Sequence, residues 1–273
     1  MPYRRGYLYM LALLALIFVA FWPSYVSNLP KAKVAHHTHA ASAVLWAMFA
    51  AFQAWSIHHG RMQLHRTTGL ALFALFPFFL VGGLHAIHAE AITLAGGVTD
   101  PDNLVIAQFG MFDPLANIGF ALMFYLGLKH RHKVHLHARY MLGTVMFVVA
   151  PVIWRLLQRW VPFFENDTPE TAYRFSYAMA AGQAGAILIA YLLYRQAPKH
   201  GRPFLIVIGF IAAQALLFET VGRMDWWAPI FAKVADANLP LLLTGTAVVS
   251  LAIAWKGWID GARPVAPAAP ATA

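Results

Sequence analysis

Long apolar stretches separated by short polar connections dominate the sequence and restrict the folds available to it. A helix that crosses a bilayer needs roughly 20 mostly apolar residues, and eight stretches of about this length occur. They cover residues 7–27, 39–58, 67–88, 113–129, 138–160, 174–195, 203–221 and 239–257. The pattern predicts an all-α fold, a polytopic transmembrane helical bundle of about eight spans, with seven spans as the alternative count.

The composition supports a membrane protein and excludes several classes of function. Hydrophobic residues make up 60% of the chain and charged residues only 11%, whereas a soluble domain carries about 25% charged residues. The net charge is +9, but the basic residues flank apolar stretches and form no aromatic–basic motif, so we expect lipid and not nucleic acid as the partner. The chain contains no cysteine, which excludes disulfides, iron–sulfur clusters and thiolate metal ligands.

The basic residues also predict the orientation of the spans. With eight spans, most Lys and Arg residues fall on one side of the bilayer, which the positive-inside rule assigns to the cytoplasm. We therefore expect both termini to be cytoplasmic and the protein to be a multi-pass component of a bacterial inner (cytoplasmic) membrane. Residues 1–260 form one transmembrane domain, 102–112 is a candidate interfacial helix, and the Pro/Ala-rich tail 261–273 is predicted to be disordered.

Histidines are concentrated on the second to fifth spans, within residues 36–160, and the apolar runs of the helices over 174–257 contain none. The motifs "HHTH" and "HAIH" each place two histidines three residues apart, on one helical face. A hairpin of the second and third spans would bring these motifs together. Imidazole is a common metal ligand, so the pattern predicts a site for copper, iron or zinc, with interfacial histidines as the alternative. Its candidate ligands are His36, His39, His85 and His88.

Two further features lie inside the apolar stretches. His39, Ala43, Ala47, Ala50, Ala54 and His58 share an arc of about 100° on a helix, which permits close approach of another helix or of a flat cofactor. Arg155 lies within the fifth span, and charges at such depth are usually paired. We predict an ion pair or polar pocket formed by Arg155, Glu219 and Arg223, in which the arginine binds either a protein carboxylate or a ligand carboxylate. Further candidate partners of Arg155 at similar depth are Asp113, Asn117 and Gln183.

The segments "HHTHAASAVLWAMFAAFQAW", "LHRTTG" and "HLHARYMLGT" resemble those of an uncharacterised group of bacterial multi-span membrane proteins with HxH, HRxxG and HxR motifs. That group is similar in layout to transmembrane b-type cytochromes, and the resemblance covers residues 36–155. It implies heme b held by paired histidines, His39 with His85 or His88 near the outer face and His65 with His137 near the inner face. Arg155 would contact a heme propionate. The fourth span carries no histidine near its outer end, unlike the usual pattern.

Three functions remain open from the sequence. The first is a redox-active membrane protein that binds heme b or a His-ligated metal, transfers electrons and exchanges them with a quinone or a redox partner. The second is a transporter or permease in which Arg155 and Glu219 line a solute path and histidines relay protons. The third is a structural or assembly protein whose histidines are only interfacial. No catalytic residue can be assigned from the sequence.

Overall fold

The structure is a computed structural model that describes residues 3–97 and 101–262, without the side chains of 101–104. These residues form ten α-helices and no strand, which confirms the predicted all-α fold. The helices are α1 Gly6–Phe21, α2 Val34–His58, α3 Met62–Gly69, α4 Leu72–Ala95, α5 Pro101–Lys129, α6 Val134–Trp160, α7 Arg174–Gln196, α8 Arg202–Glu219, α9 Trp227–Ala232 and α10 Leu239–Asp260. Apart from its first two residues, the predicted tail 261–273 lies outside the described residues.

Seven stretches of helix among the described residues are long and apolar enough to cross a membrane, so the chain is an integral, multi-pass membrane protein. They are Val34–His58, Leu72–Ala95, Val105–Lys129, Val134–Trp160, Arg174–Gln196, Arg202–Arg223 and Leu239–Asp260. The side chains that face outward from them are largely apolar. Such a surface is stable in lipid and would be unstable in water.

Helix α1 has only 16 residues, yet it reaches both ends of the bundle. Near its start, the Tyr7 ring lies 5.7 Å from the ring of His59, at the end of α2. Beyond its other end, the Tyr25 hydroxyl is 2.8 Å from Nδ1 of His37, near the start of α2. Helix α1 therefore runs antiparallel to α2 along its length and forms an eighth, shorter rod beside the seven long ones.

The bundle has two ends that differ in their polar residues. The basic end contains the start of α1 and the connections 59–61, 130–133 and 197–201, together with the end of α10. The acidic end contains the connections 22–33, 161–173 and 220–238. Lys33 Nζ donates to Thr93 Oγ1 at 2.8 Å, and Arg131 Nη1 donates to the Trp258 carbonyl at 2.6 Å. These two contacts fix the ends of α2, α4, α5 and α10.

Several predicted boundaries differ from the observed helices. The predicted first span, 7–27, ends earlier, at Phe21, and the predicted second span, 39–58, begins earlier, at Val34. The predicted third span, 67–88, begins in the separate helix α3 because the chain turns after Gly69, a poor helix former, and α4 continues to Ala95. The predicted fourth span, 113–129, is the second half of α5, which starts at Pro101. The candidate interfacial helix 102–112 is therefore part of α5. Pro114 does not break α5, since neighbouring membrane helices support the backbone around a proline.

The core between α2, α4 and α5 is built from stacked aromatic rings. Phe76 stacks on Phe124, and Phe79 on Phe120, both with ring centroids 3.9 Å apart. The α2–α4 crossing beside this core depends on Gly82, where an added Cβ would lie 2.6 Å from Ser42 Oγ and 3.2 Å from the Cα of His39. Glycine thus lets the two backbones touch and fixes the position of His39.

Candidate ligand cavity

A cavity of about 1070 Å³ lies between α1, α2, α4, α5 and α6. It extends from Tyr7, near the basic end, to Tyr25 and His36, near the acidic end. On its α1 wall, Tyr7 and Phe21 are separated by 14 helical steps, which correspond to a length of about 21 Å at 1.5 Å per residue. Ligand cavities usually range over about 300–1000 Å³, so this cavity can hold a large and elongated molecule.

Most of the cavity wall is apolar. On α2 the wall includes the small residues Ala40, Ala43 and Ala51, and Ala43 belongs to the small-residue arc predicted from the sequence. These side chains leave free volume where α2 faces α6, because leucine or phenylalanine at the same positions would fill it. The apolar part of the wall is completed by aromatic and aliphatic side chains, among them Leu11, Met48, Phe52, Trp55, Phe120 and Phe147.

Polar side chains collect at the acidic end of this cavity. His39, Glu90, Asp113, Asn117 and Arg155 all line it, and they come from four different helices. The carboxyl groups of Glu90 and Asp113 lie within hydrogen-bonding reach of each other. A Cβ at Gly83 would collide with the Asn117 side chain, so this glycine lets α4 and α5 approach closely beside the pair. We call the five lining residues the polar cluster.

Arg155 occupies the polar cluster without a direct ion pair to any described carboxylate. Its Nη1 donates to the Pro151 carbonyl of its own helix at 3.3 Å, and its guanidinium carbon lies 4.3 Å from the Phe21 ring centroid and 4.8 Å from that of Trp154. Its charge interacts electrostatically with Asp113 and Glu90. The cation and the carboxyl groups are therefore coupled, although their atoms are not in contact.

The polar cluster leaves hydrogen-bonding capacity unused. Glu90 Oε2 and Asn117 Oδ1 are buried and have no hydrogen-bond partner, and a buried polar atom without a partner costs about 1–3 kcal/mol. Two carboxyl groups in contact favour a state with one shared proton over double ionisation. With the charge of Arg155, the cluster is then close to neutral, and it offers both donors and acceptors to a polar group inside the cavity.

The structure brings the two predicted histidine motifs near the outer face together only in part. His36 and His39 line the cavity. His85 Nδ1 lies 3.0 Å from Thr38 Oγ1, so the motifs "HHTH" and "HAIH" meet at the acidic end. His88 is buried and its Nε2 lies 3.3 Å from the Ala237 carbonyl oxygen before α10, away from the cavity. Within residues 3–97 and 101–262, no three His, Asp or Glu side chains are placed to hold a metal ion.

His65 and His137 are neighbours at the basic end. Their ring centroids are 6.4 Å apart with the rings nearly perpendicular, and His137 Nδ1 lies 2.8 Å from the Gly127 carbonyl oxygen. Burial, together with the nearby His137 ring, lowers the pKa of His65, whose Nδ1 has no hydrogen-bond partner. Neither ring lines the cavity, so this pair stands apart from the polar cluster.

Of the predicted grouping of Arg155, Glu219 and Arg223, the structure pairs Glu219 with Arg223 and places Arg155 apart from both. Glu219 is the last residue of α8, where the chain turns outward, and its Oε2 pairs with Arg223 Nη2 at 2.7 Å on the surface. Arg223 Nη2 also donates to Ser176 Oγ at 2.7 Å. The carboxyl groups that interact with Arg155 instead come from α4 and α5.

Glu90 is a functional candidate that the sequence does not predict, because hydropathy ends the third span at residue 88. A signal was nevertheless present in the sequence. Gly83, Ala86 and Glu90 are spaced by three and four residues, so they share one helical face, and all three line the cavity. A carboxylate on the same face as small residues marks a helix that turns a polar group inward.

No protein-family model matches the chain, and neither the curated proteins nor the solved structures contain a match. The resemblance to membrane cytochromes therefore stays a prediction.

Proposed function

We propose that this membrane protein binds a neutral, long-chain lipid of the quinone class, with the quinone ring at the polar cluster and the isoprenoid tail in the apolar part of the cavity. The observation that carries this proposal is the polarity of the cavity. It is apolar along most of its length and has unpaired polar atoms at one end only, which is the polarity of an amphipathic ligand.

The polar cluster fits a quinone or quinol ring better than a charged head group. The carbonyl oxygens of a quinone need hydrogen-bond donors, which Arg155 and a protonated carboxyl group supply. The hydroxyl groups of a quinol need acceptors, which Glu90 Oε2 and Asn117 Oδ1 supply. A phosphate or carboxylate head group would meet Arg155 together with the carboxyl groups of Glu90 and Asp113, which oppose a second anion.

The same polarity argues against the other roles considered from the sequence. A path for hydrophilic solutes needs polar groups along its length, and this cavity has them at one end. A bis-histidine heme needs two imidazoles on opposite sides of the porphyrin. Of the described histidines, only His36 and His39 line the cavity, and both belong to α2.

The test is lipid extraction followed by binding. Protein purified from membranes should carry quinone in a roughly stoichiometric amount, identified by chromatography and mass spectrometry. Delipidated protein should bind decylubiquinone saturably with quenching of tryptophan fluorescence, since Trp55 and Trp154 line the cavity. Ala43→Phe fills the cavity and should weaken binding about tenfold or more, which is about 1.4 kcal/mol.

The matched control is Ala252→Phe, which adds the same side chain on the exposed surface of α10 and should leave binding unchanged. At the polar cluster, Asp113→Asn should weaken binding, whereas Glu219→Gln in the surface pair should not. Absence of quinone from the purified protein, combined with equal decylubiquinone binding by the two Phe variants, would refute the proposal.

Heme b is a second candidate, supported by one observation: an imidazole, His39, and a guanidinium, Arg155, share a cavity large enough for a porphyrin. Such a heme would have a single protein imidazole on the iron and a propionate near Arg155. A reduced-minus-oxidised absorption spectrum of the purified protein decides this point. A Soret difference that is lost in His39→Ala but kept in His88→Ala would favour heme, and a spectrum without such a band would exclude it.

A further inference from the structure

Arg139 lies near the start of α6 and is buried, with only 4% of its surface exposed. Its Nη1 donates to the His135 carbonyl of its own helix at 2.9 Å, and its Nε has no hydrogen-bond partner. Its guanidinium carbon lies 5.3 Å from the centroid of the Tyr3 ring. No carboxylate among the described residues forms an ion pair with it.

The groups around Arg139 are basic or neutral. The rings of His135 and His200 stack with centroids 5.1 Å apart and nearly parallel planes. His200 interacts electrostatically with His135, Arg139 and Lys199. The buried hydroxyl of Tyr3 lies beside Arg139 without a well-formed hydrogen bond. These contacts join the start of the chain, the first turn of α6 and the connection before α8 in one positively charged region.

The acidic residues of the chain do not balance this charge. Asp260 is the only described carboxylate at the basic end, and it is already engaged. It accepts from the Tyr125 hydroxyl at 2.5 Å and from Lys256 Nζ at 2.6 Å. A buried cation is costly unless it is paired and hydrogen-bonded. No carboxylate among the described residues therefore serves as a counter-ion for Arg139.

We infer that a phosphate group binds at this position, with Tyr3, Arg139 and His200 as its nearest side chains. A phosphate carries several acceptor oxygens, which suit the unpaired Nε of Arg139 and the hydroxyl of Tyr3. Lys199 is exposed at the rim and draws anions from solution or from the membrane surface. The phosphate belongs either to the head group of an anionic membrane lipid or to free inorganic phosphate. The site lies at the opposite end of the bundle from the polar cluster and does not depend on the quinone proposal.

The experiment uses the full chain in nanodiscs and measures thermal unfolding. Nanodiscs of phosphatidylcholine alone are compared with nanodiscs that contain phosphatidylglycerol, and each is measured with and without inorganic phosphate at constant ionic strength. Phosphatidylcholine also carries a phosphate, but its choline ammonium offsets the charge. Stabilisation by phosphatidylglycerol alone therefore identifies the phosphate of an anionic lipid, and stabilisation by inorganic phosphate in phosphatidylcholine identifies the free ion. No stabilisation in either arm would overturn the inference.

The variants separate a specific site from general surface charge. Arg139→Gln should lose most of the stabilisation, and its apparent affinity for the phosphate ligand should fall about tenfold, as expected for one lost charge-assisted hydrogen bond. Arg195→Gln removes an exposed charge at the same end of the bundle and should keep the stabilisation. An equal loss in both variants would show that only net charge matters and would overturn the inference.

Burial of Arg139 means that its replacement can prevent folding. Tyr3→Phe and His200→Gln change the partly exposed groups around it, and each should reduce the stabilisation without removing the folded state. If both keep the full stabilisation while Arg139→Gln does not fold, Arg139 has a structural role and the phosphate site is refuted.

Discussion

Replacement of Arg155 by methionine tests the electrostatic coupling inside the cavity. The guanidinium packs against the rings of Phe21 and Trp154, and each such contact contributes about 1 kcal/mol when partly desolvated. Its charge also faces the carboxyl pair of Glu90 and Asp113. For an effective dielectric constant of about 20, one negative charge beyond ion-pair distance, on the order of 6 Å away, contributes about 3 kcal/mol.

Removal of the arginine also removes the free-energy penalty of placing a charge inside the membrane. A charged residue deep in a membrane helix is unfavourable by about 2.5–3.5 kcal/mol on insertion scales, and methionine avoids this penalty. The lost ring contacts and charge interaction outweigh the avoided insertion penalty, so Arg155→Met should be destabilised by about 2 kcal/mol. Part of that loss should disappear when Asp113→Asn is added, because Glu90 then remains without a second carboxyl group beside it and can keep the single proton. The double-mutant cycle of Arg155→Met and Asp113→Asn should show a coupling of about 1–3 kcal/mol.

The assay is unfolding of the detergent-solubilised protein by titration with sodium dodecyl sulfate, followed by circular dichroism. The control cycle combines Arg155→Met with Glu219→Gln, whose carboxylate instead pairs with Arg223 on the surface. That cycle should be additive within about 0.5 kcal/mol. Additivity in the Asp113 cycle, or equal coupling in both cycles, would refute the interaction across the cavity.

Two further predictions concern the frame around the cavity. Trp46 Nε1 donates to Thr144 Oγ1 at 3.0 Å between α2 and α6, so Thr144→Val should lower the free energy of unfolding by about 1–2 kcal/mol. Thr144→Ser keeps the acceptor and should lower it less. Equal losses of the two variants in detergent unfolding would contradict this. The pKa of His65 is lowered by burial, so unfolding takes up a proton and the stability present near neutral pH falls as the pH drops below about 6.5. Thermal unfolding between pH 7.5 and 5.5 should therefore show a smaller loss of stability in His65→Asn than in the wild type, and identical slopes would argue against a neutral, buried His65.

The helical bundle was predictable because the feature that specifies it is local. A run of about 20 apolar residues can satisfy its backbone in lipid only as a helix, so Arg174–Gln196 and Leu239–Asp260 were located within three residues at either end. Charged residues inside a span make the predicted ends of that span less accurate. The predicted third span ends at residue 88 and leaves Glu90 outside it, although α4 continues past it to Ala95. Hydropathy penalises such a residue, and only the tertiary structure shows that it faces a cavity.

The polar cluster was predictable only in part. The depth of Arg155 within its span was sufficient to expect a partner, and Asp113 was available on the next apolar stretch. The sequence could not choose between Asp113 and Glu219, because that choice depends on which helices are neighbours. His88 also shows that the sequence does not identify contacts between distant segments. Its spacing from His85 places both on one side of α4, but the approach of Ala237 comes from a segment about 150 residues away.

Gly82 has a consequence for how the cavity can change shape. It seats α4 directly against the backbone of α2 beside His39, whereas α1, on the opposite wall, is short and contains only one buried residue, Ala20. A methyl group at position 82 would push α4 away from α2. Glu90, which lies two helical turns further along α4, would move with the helix. The absence of a Cβ at Gly82 thus sets the distance between the imidazole of His39 and the carboxyl group of Glu90. Any change in the volume of the cavity would therefore come from movement of α1.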